Sequence, residues 1–281
     1  ATLINNKEGI KIEMSTSFID VIETAIKNGA KPENISTCHN FYPERYTAPS
    51  LEAINDINNY WKAKNIPVAI FISSLVKGSH GPWPVSDGLP TIEEHRDMPI
   101  EIQLKHCLAL DNVDEIIIGN AYASEDEFKA IDQIMKQVYV DVPKNEAFGF
   151  LADFIPHGMV KRVPFKIQLE EGITELEKEI LFNYPTHSDL GDCMNYMLRS
   201  RWTRMIYKGK EIPCRPCNKT HYTRGDVVIV NDNLAHYRGE IQIVLKDMKV
   251  DGQRNLLGHI DESEIFILEH IKAKDIFTFV E

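Results

Sequence analysis

The chain has 281 residues, and at roughly 150 residues per domain that length predicts two domains. It is 43% hydrophobic and 26% charged, proportions that exclude a disordered chain, a collagen-like repeat and a disulfide-bonded mini-scaffold. Its 31 Lys and Arg against 42 Asp and Glu give a formal net charge of −11. This argues against a nucleic-acid binder, whose affinity comes from neutralising phosphates with a basic face.

The first half repeats one pattern, a short Ile/Val/Phe-rich run followed by a longer amphipathic segment. Residues 9–15 read as a strand, and 17–28 as a helix capped by Thr16 or Ser17 and stopped at Gly29. Residues 34–40 are the next strand. Residues 50–64 are a helix after Pro49, with Leu51, Ile54, Ile57 and Trp61 at helical spacing. A third strand over 67–73 leads into a Gly/Pro-rich loop over 77–90 and a helix over 99–110. A fourth strand over 115–119 is followed by a helix over 124–138, with Ser124 and Glu127 spaced as a capping box. Four consecutive strand–helix units predict a parallel sheet with right-handed crossovers.

The pattern changes after about residue 140. Residues 142–162 have no clear period. Beyond them the chain reads as strands and turns, including strands over 226–230, 241–245 and 277–280, with one helical stretch near 189–198. The fold expected is α/β followed by all-β, with domains over 1–160 and 161–281. The five cysteines, at 38, 107, 193, 214 and 217, are odd in number and widely spaced, as in the reduced thiols of a cytoplasmic protein. No run reaches the roughly 18 apolar residues of a membrane span, so no membrane partner is expected, and the sequence sets no oligomeric state.

In parallel α/β folds the functional groups gather at the carboxyl ends of the strands. Those ends are polar here, although the strands feeding them are apolar. They carry Gly9-Ile10-Lys11-Ile12-Glu13, Cys38-His39-Asn40-Phe41-Tyr42-Pro43, Gly81-Pro82-Trp83-Pro84, Gly88-Leu89-Pro90-Thr91-Ile92-Glu93-Glu94-His95-Arg96, and Ile116 through Gly119-Asn120-Ala121-Tyr122-Ala123-Ser124. Farther on come Tyr196-Met197-Leu198-Arg199-Ser200, Arg224-Gly225-Asp226-Val227 and Tyr237-Arg238-Gly239-Glu240-Ile241-Gln242. This ordered set resembles the MupG family of bacterial 6-phospho-N-acetylmuramidases over nearly the whole chain.

The resemblance implies a TIM barrel followed by a cyclophilin-like β-barrel domain. It also implies cytoplasmic hydrolysis of N-acetylmuramic acid 6-phosphate–N-acetylglucosamine in peptidoglycan recycling. A (β/α)8 barrel has eight strand–helix units over about 250 residues. Four are visible, and the first resembles the family's fifth. The chain is therefore expected to hold the C-terminal half of the barrel, as a fragment. Two other readings are a different phosphosugar hydrolase or lyase on the same barrel, and a non-enzymatic sugar-phosphate binding protein.

Glycoside hydrolysis generally uses two carboxyl groups flanking the scissile bond. The candidates are Glu13, Glu44, Glu93 and Glu94. Glu13 is either a catalytic group near a strand mouth or an interior carboxylate paired with a base. Glu93 and Glu94 either act on substrate or open a helix, and Glu44 is either catalytic or solvated. His39, Asn40 and Tyr42 either contact the sugar or are a satisfied core histidine with a packed tyrosine. The substrate's phosphate and carboxylate need cations or aligned N–H groups. Arg45, Lys77, His95, Arg96 and the Asn120 loop lie near the strand ends, and Arg199, Arg201 and Arg204 form a second basic cluster. Trp83 either stacks on a sugar or anchors its loop. Cys214, Cys217 and His221 supply three of the four ligands that a structural zinc takes. The expected set is Glu13 and Glu93 for catalysis, and His39, Asn40, Tyr42, Arg45, His95, Arg96, Asn120 and Arg199 for a phosphorylated amino-sugar disaccharide. No metal and no cofactor are expected.

Overall fold

Alternating apolar strands and amphipathic helices build the first of two compact units, Ala1–Asp132; the second is Gln133–Glu281. The computed structural model describes residues 2–7, 9–192 and 195–281. After a short turn, α1 (Thr2–Asn5), the first unit runs β1 (Ile12–Ser15), α2 (Ile19–Lys27), β2 (Ile35–Cys38), α3 (Leu51–Lys62), β3 (Val68–Ile72), α4 (Ile100–Leu110), β4 (Glu115–Ile118) and α5 (Glu125–Val138). Through α5 the chain passes into the second unit. The four strands pair in parallel, in the order β1-β2-β3-β4.

Successive residues of a strand point to opposite faces of the sheet, so the core contacts show which face is covered. Ile35 and Val68 pack with Ile22 of α2 and Trp61 of α3. Ile70 and Ile72 pack with Ile54 of α3 and with Ile100 and Leu110 of α4, joined by Ile116, Ile118 and Ile131. The helices therefore lie on one face, as right-handed crossovers between strands in sequential order require. The opposite face carries Glu13, Ser15, Ser36, Cys38, Ala69, Phe71, Glu115 and Ile117.

Several helix ends follow local chemistry. The Ser50 side chain accepts from Ala53 N at 3.2 Å, a cap contributing about 1 kcal/mol. Ser124 and Glu127 form the expected reciprocal box, Glu127 N to Ser124 Oγ at 3.1 Å and Ser124 N to Glu127 Oε2 at 2.8 Å. Neither Thr16 nor Ser17 caps α2: its N-cap is Phe18, with no side-chain bond. Ser17 instead pairs with Ser15, and Thr16 faces His39. Gly29, with φ +90°, ends α2 as expected, returning its N–H to Ile26 O. In α4 every residue but Glu101 is buried. Its Gln103 both donates to Ser73 O and accepts from Ser73 N, at 2.8 Å each, standing in for a strand partner beyond β3.

The second unit opens with a ribbon of β5 (Tyr139–Val142) and β6 (Gly158–Lys161), where no period was visible in the sequence. It continues with β7 (Val163–Leu169), α6 (Glu175–Lys178), β8 (His187–Ser188), β9 (Met197–Ser200), α7 (Trp202–Ile206), β10 (His221–Tyr222), β11 (Asp226–Val230), β12 (Ile241–Val244), β13 (Met248–Lys249), β14 (Arg254–Ile260) and β15 (Ile276–Val280). Strands β10 and β13 form a separate pair. The main sheet has seven strands in the order β8-β15-β7-β14-β11-β12-β9, antiparallel except for the β15–β7 pair. Its two edges meet where His187 Nδ1 lies 2.9 Å from Ser200 Oγ, so the sheet is a nearly closed barrel. Burial of His187 lowers its pKa to about 4. The neutral ring donates from Nε2 to Leu181 O and accepts at Nδ1 from the Ser200 hydroxyl.

The helix expected near 189–198 is not present in the described residues. The chain bends after β8 and enters β9, where pairing with β12 prevails over the local pattern by alternately burying Leu198 and Ser200. Cys193 lies outside the described residues; Cys38, Cys107, Cys214 and Cys217 are in no disulfide. No helix among the described residues is long and apolar enough to cross a membrane.

Gly258 lies against β7. A Cβ there would sit 2.2 Å from Gln168 O and 3.0 Å from its carbonyl carbon, both backbone atoms that cannot swing away. Gly258→Ala is therefore expected to lower the unfolding free energy by about 1–3 kcal/mol, measurable by urea denaturation. An unchanged midpoint would show that β7 and β14 can separate without cost.

Candidate functional site

The face of the four-stranded sheet opposite the helices carries two exposed glutamates, Glu13 and Glu115, on its outer strands. Glu13 is exposed on β1 and paired in register with Ser36. One pleat closer to the strand mouth, Ser15, Cys38, Ala69 and Glu115 form a continuous row across all four strands. Burial, followed by the negative fields of Glu13 and Glu115, pushes the Cys38 thiol up to about 12, so it stays protonated and is no nucleophile. Sequence reading missed Glu115, which sits at the head of an apolar run. Its alternation with Ile116 and Ile118, which face the helices, was the available signal.

Past β2 the chain separates the residues His39, Asn40 and Tyr42. His39 continues the helix side of its strand and is buried. Its Nε2 lies 2.6 Å from Asn58 Oδ1 and its Nδ1 3.3 Å from Thr16 Oγ1, and burial lowers its pKa. Asn58 continues to Asn112, and Asn112 to Asn55 and Asn59. The imidazole is thus part of a polar core network rather than a group turned toward the strand mouths. Asn40 is exposed, and its carbonyl accepts from Thr91 Oγ1. Tyr42 is half-buried and is held through its backbone, N to Pro90 O and O to Arg96.

Arg96 organises these loops. It is 2% exposed, and its guanidinium makes five hydrogen bonds. Nε and Nη2 donate to Glu93 at 2.7 and 2.8 Å, Nη1 donates to the carbonyls of Tyr42 and Asp87, and Nη2 also donates to Glu44 O. A guanidinium has five N–H groups, so Arg96 has none left for a substrate anion. Glu93 also accepts from Tyr46 N at 2.8 Å and Ala48 N at 3.3 Å. The Arg96 contact, with help from these amides, holds its carboxyl at about 2, too acidic to deliver a proton near neutrality. Arg45 is occupied by Asp97, bidentate at 2.8 Å, and by Asp87 at 3.1 Å. His95 is fully buried, with Nε2 2.8 Å from His106 Nδ1. These hydrogen bonds engage Glu93 and Arg96 within the loop itself, and His95 sits in the core with its Nδ1 unpartnered among the described residues. Glu44 and Glu94 are exposed.

Beyond β3 and β4 a second clamp forms. Asn120 is buried, and its side chain accepts from Ser74 N and donates to Ser74 O, both at 2.8 Å, and donates to Ser79 Oγ at 3.0 Å. Glu127 accepts from Ser74 Oγ and Leu75 N. These bonds shape a cleft of about 260 Å³ lined by Ser74, Lys77, Gly78, Ser79, Ser86, Asp87, Arg45, Arg96 and Asp97 among others. With Arg45 and Arg96 occupied as above, Lys77 is the exposed cation of the cleft with no ion pair among the described residues. Trp83 is 59% exposed on the neighbouring loop.

In the second unit, Arg199 donates from Nε and Nη2 to the fully buried Glu240 at 2.7 and 3.0 Å. Cys214 is exposed, its thiol donating to Gly252 O, while His221 Nδ1 lies against Thr220 Oγ1.

Because Glu93 is ionised down to about pH 2 when folded but only to about 4.5 otherwise, its contribution is present above pH 4.5 and lost as pH falls toward 2. Glu93→Gln is expected to be less stable than the parent near neutrality. The gap should shrink between pH 4.5 and 2 in denaturation curves; a gap independent of pH would refute the clamp.

The second half of the MupG family, described as the C-terminal part of 6-phospho-N-acetylmuramidase, matches residues 163–280, and its N-terminal part matches residues 1–133. An uncharacterized Bacillus cereus (B. cereus) protein of known crystal structure is 34% identical, with a TM-score of 0.82 over 100% of this chain and 73% of that one. A conserved Enterococcus faecalis protein of unknown function shares the fold, with 23% identity and a TM-score of 0.59 over 99% of this chain and 68% of that one. Comparison with curated proteins gave no match. Two family models, matching residues 1–133 and 163–280, and a structural relative 34% identical over all of this chain place it in the 6-phospho-N-acetylmuramidase (MupG) family.

Proposed function

We propose that the chain carries the machinery of a glycosidase that cleaves N-acetylmuramic acid 6-phosphate–N-acetylglucosamine, in cytoplasmic recycling of peptidoglycan. Family membership supports the reaction class. The observation that carries the site is exposed Glu13 on the sheet face opposite the helices, with Lys77, unpaired among the described residues, in the cleft at the strand ends. We read the singly wound sheet as strands of a (β/α)8 barrel, whose interior is the face opposite the helices, and the seven-stranded unit as a cyclophilin-like barrel.

In this reading Glu13 acts as the acid/base or charge-stabilising carboxylate at the glycosidic bond. Asn40 and Tyr42 meet sugar hydroxyls or the acetamido group. Lys77 takes the 6-phosphate, a role that Arg45 and Arg96 are too fully engaged to fill. A flexible ammonium on an exposed loop suits a phosphate as a point charge.

Glu13→Gln keeps the shape and removes the proton. Release of the two monosaccharides from the phosphorylated disaccharide should fall by about 10²–10⁴-fold in kcat, with KM little changed. Turnover at the parental rate would remove Glu13 from the mechanism. Lys77→Met should raise KM about tenfold for the phosphorylated substrate, the loss expected of one charge-assisted hydrogen bond. An unchanged KM would place the phosphate elsewhere.

A further inference from the structure

The second unit holds buried guanidinium N–H groups that no acceptor among the described residues satisfies. Glu240 is fully buried and accepts Arg199 through both oxygens, and its Oε1 also accepts from Gln242 Nε2 at 2.9 Å. Arg204, on α7, turns toward the same carboxylate, but its Nη1 stops 3.6 Å from Oε2, beyond hydrogen-bond range. Both guanidiniums lie over the Tyr237 ring, at 5.7 and 5.0 Å from its centre. Two arginines thus share one carboxylate, Arg199 through two hydrogen bonds and Arg204 through an ion pair alone.

The hydrogen-bond accounting points the same way. Arg204 Nη1 is buried and has no acceptor among the described residues, and neither has Arg201 Nε, although Arg201 is ion-paired with Asp192. Arg201 caps α7 three residues before Arg204, so the two side chains leave neighbouring positions on one helix face. Trp202 Nε1, between them in sequence, is also buried without an acceptor. Buried N–H groups are nearly always satisfied in folded proteins, by protein, water or a bound group. A guanidinium fork matches the paired oxygens of a carboxylate or phosphate.

We propose that Arg204, with Arg201 one turn earlier, forms an oxyanion site in the second unit, for a carboxylate or phosphate monoester carried by a small molecule. The site stands on these contacts alone and holds whether or not the chain cleaves a glycoside.

The test is calorimetric titration of the whole chain at low salt, in a Lys77→Met background so that the cleft cation of the first unit does not contribute. The probes are N-acetylglucosamine 6-phosphate, N-acetylmuramic acid and uncharged N-acetylglucosamine. At least one acidic probe should bind at least tenfold more tightly than the uncharged sugar, and which one does so separates phosphate from carboxylate. Arg204→Met should abolish that preference while leaving the thermal melting curve in place, and Arg204→Lys, which keeps charge but not the fork, should retain part of it. If Arg204→Met does not fold, Arg201→Met decides the matter by the same criterion. Equal binding of acidic and uncharged probes, or a preference that survives loss of the guanidinium, would overturn the proposal. A glycosidase assay on the same variants is independent: loss of turnover with the preference intact would sink the enzymatic reading and leave this site standing.

Discussion

The loops at the strand ends of the first unit depend on the buried guanidinium of Arg96. It makes five hydrogen bonds, to one carboxylate and three backbone carbonyls, and thereby ties residues 42–44 to residues 87 and 93. Burying a charge is tolerable only when it is paired and its hydrogen bonds are satisfied. Glu93 meets that requirement and in turn holds two amides of the preceding loop. Removing either partner would leave a charge with fewer contacts than burial demands. The consequence for function is subtractive. The most conspicuous acid and base of the loop motif are spent on shape, and in the proposed function Glu13 and Lys77 take the chemical roles instead.

The same economy governs the second unit. Its buried carboxylates are each held by a cation or amide: Glu177 by Arg215 and Asn255, Asp226 by Lys219 and His259, Glu240 by Arg199 and Gln242. These pairs bridge strands and loops distant in sequence, so they fix how the barrel closes. At Arg201, Trp202 and Arg204 the hydrogen-bond accounting does not balance among the described residues, and for that reason these positions are informative.

Much of the first unit could be read directly. The four strands, the helices between them and the Ser124–Glu127 box follow from apolar spacing and capping chemistry, which are local. The beginning of α2 could not, because Thr16 and Ser17 are both competent caps and only the packing of Thr16 against His39 diverts one of them. The segment 197–200 resisted reading for a related reason. Its apolar residues suit a helix or a strand, and the edge of β12 selects the strand.

The sequence by itself determined which segments are strands and helices in the first half, the change to a β-rich second half, and the polarity of the strand ends, since all three are carried by residues close together in the chain. Tertiary structure alone decided which polar groups remain available. His39, Glu93, His95, Arg96 and Asn120 resemble ligand contacts until their partners, 3 to 54 residues away in sequence, are brought within hydrogen-bond reach. A hydrogen bond satisfies a buried donor or acceptor regardless of sequence distance. Whether a side chain serves the fold or a ligand is therefore settled only when the chain has closed around it.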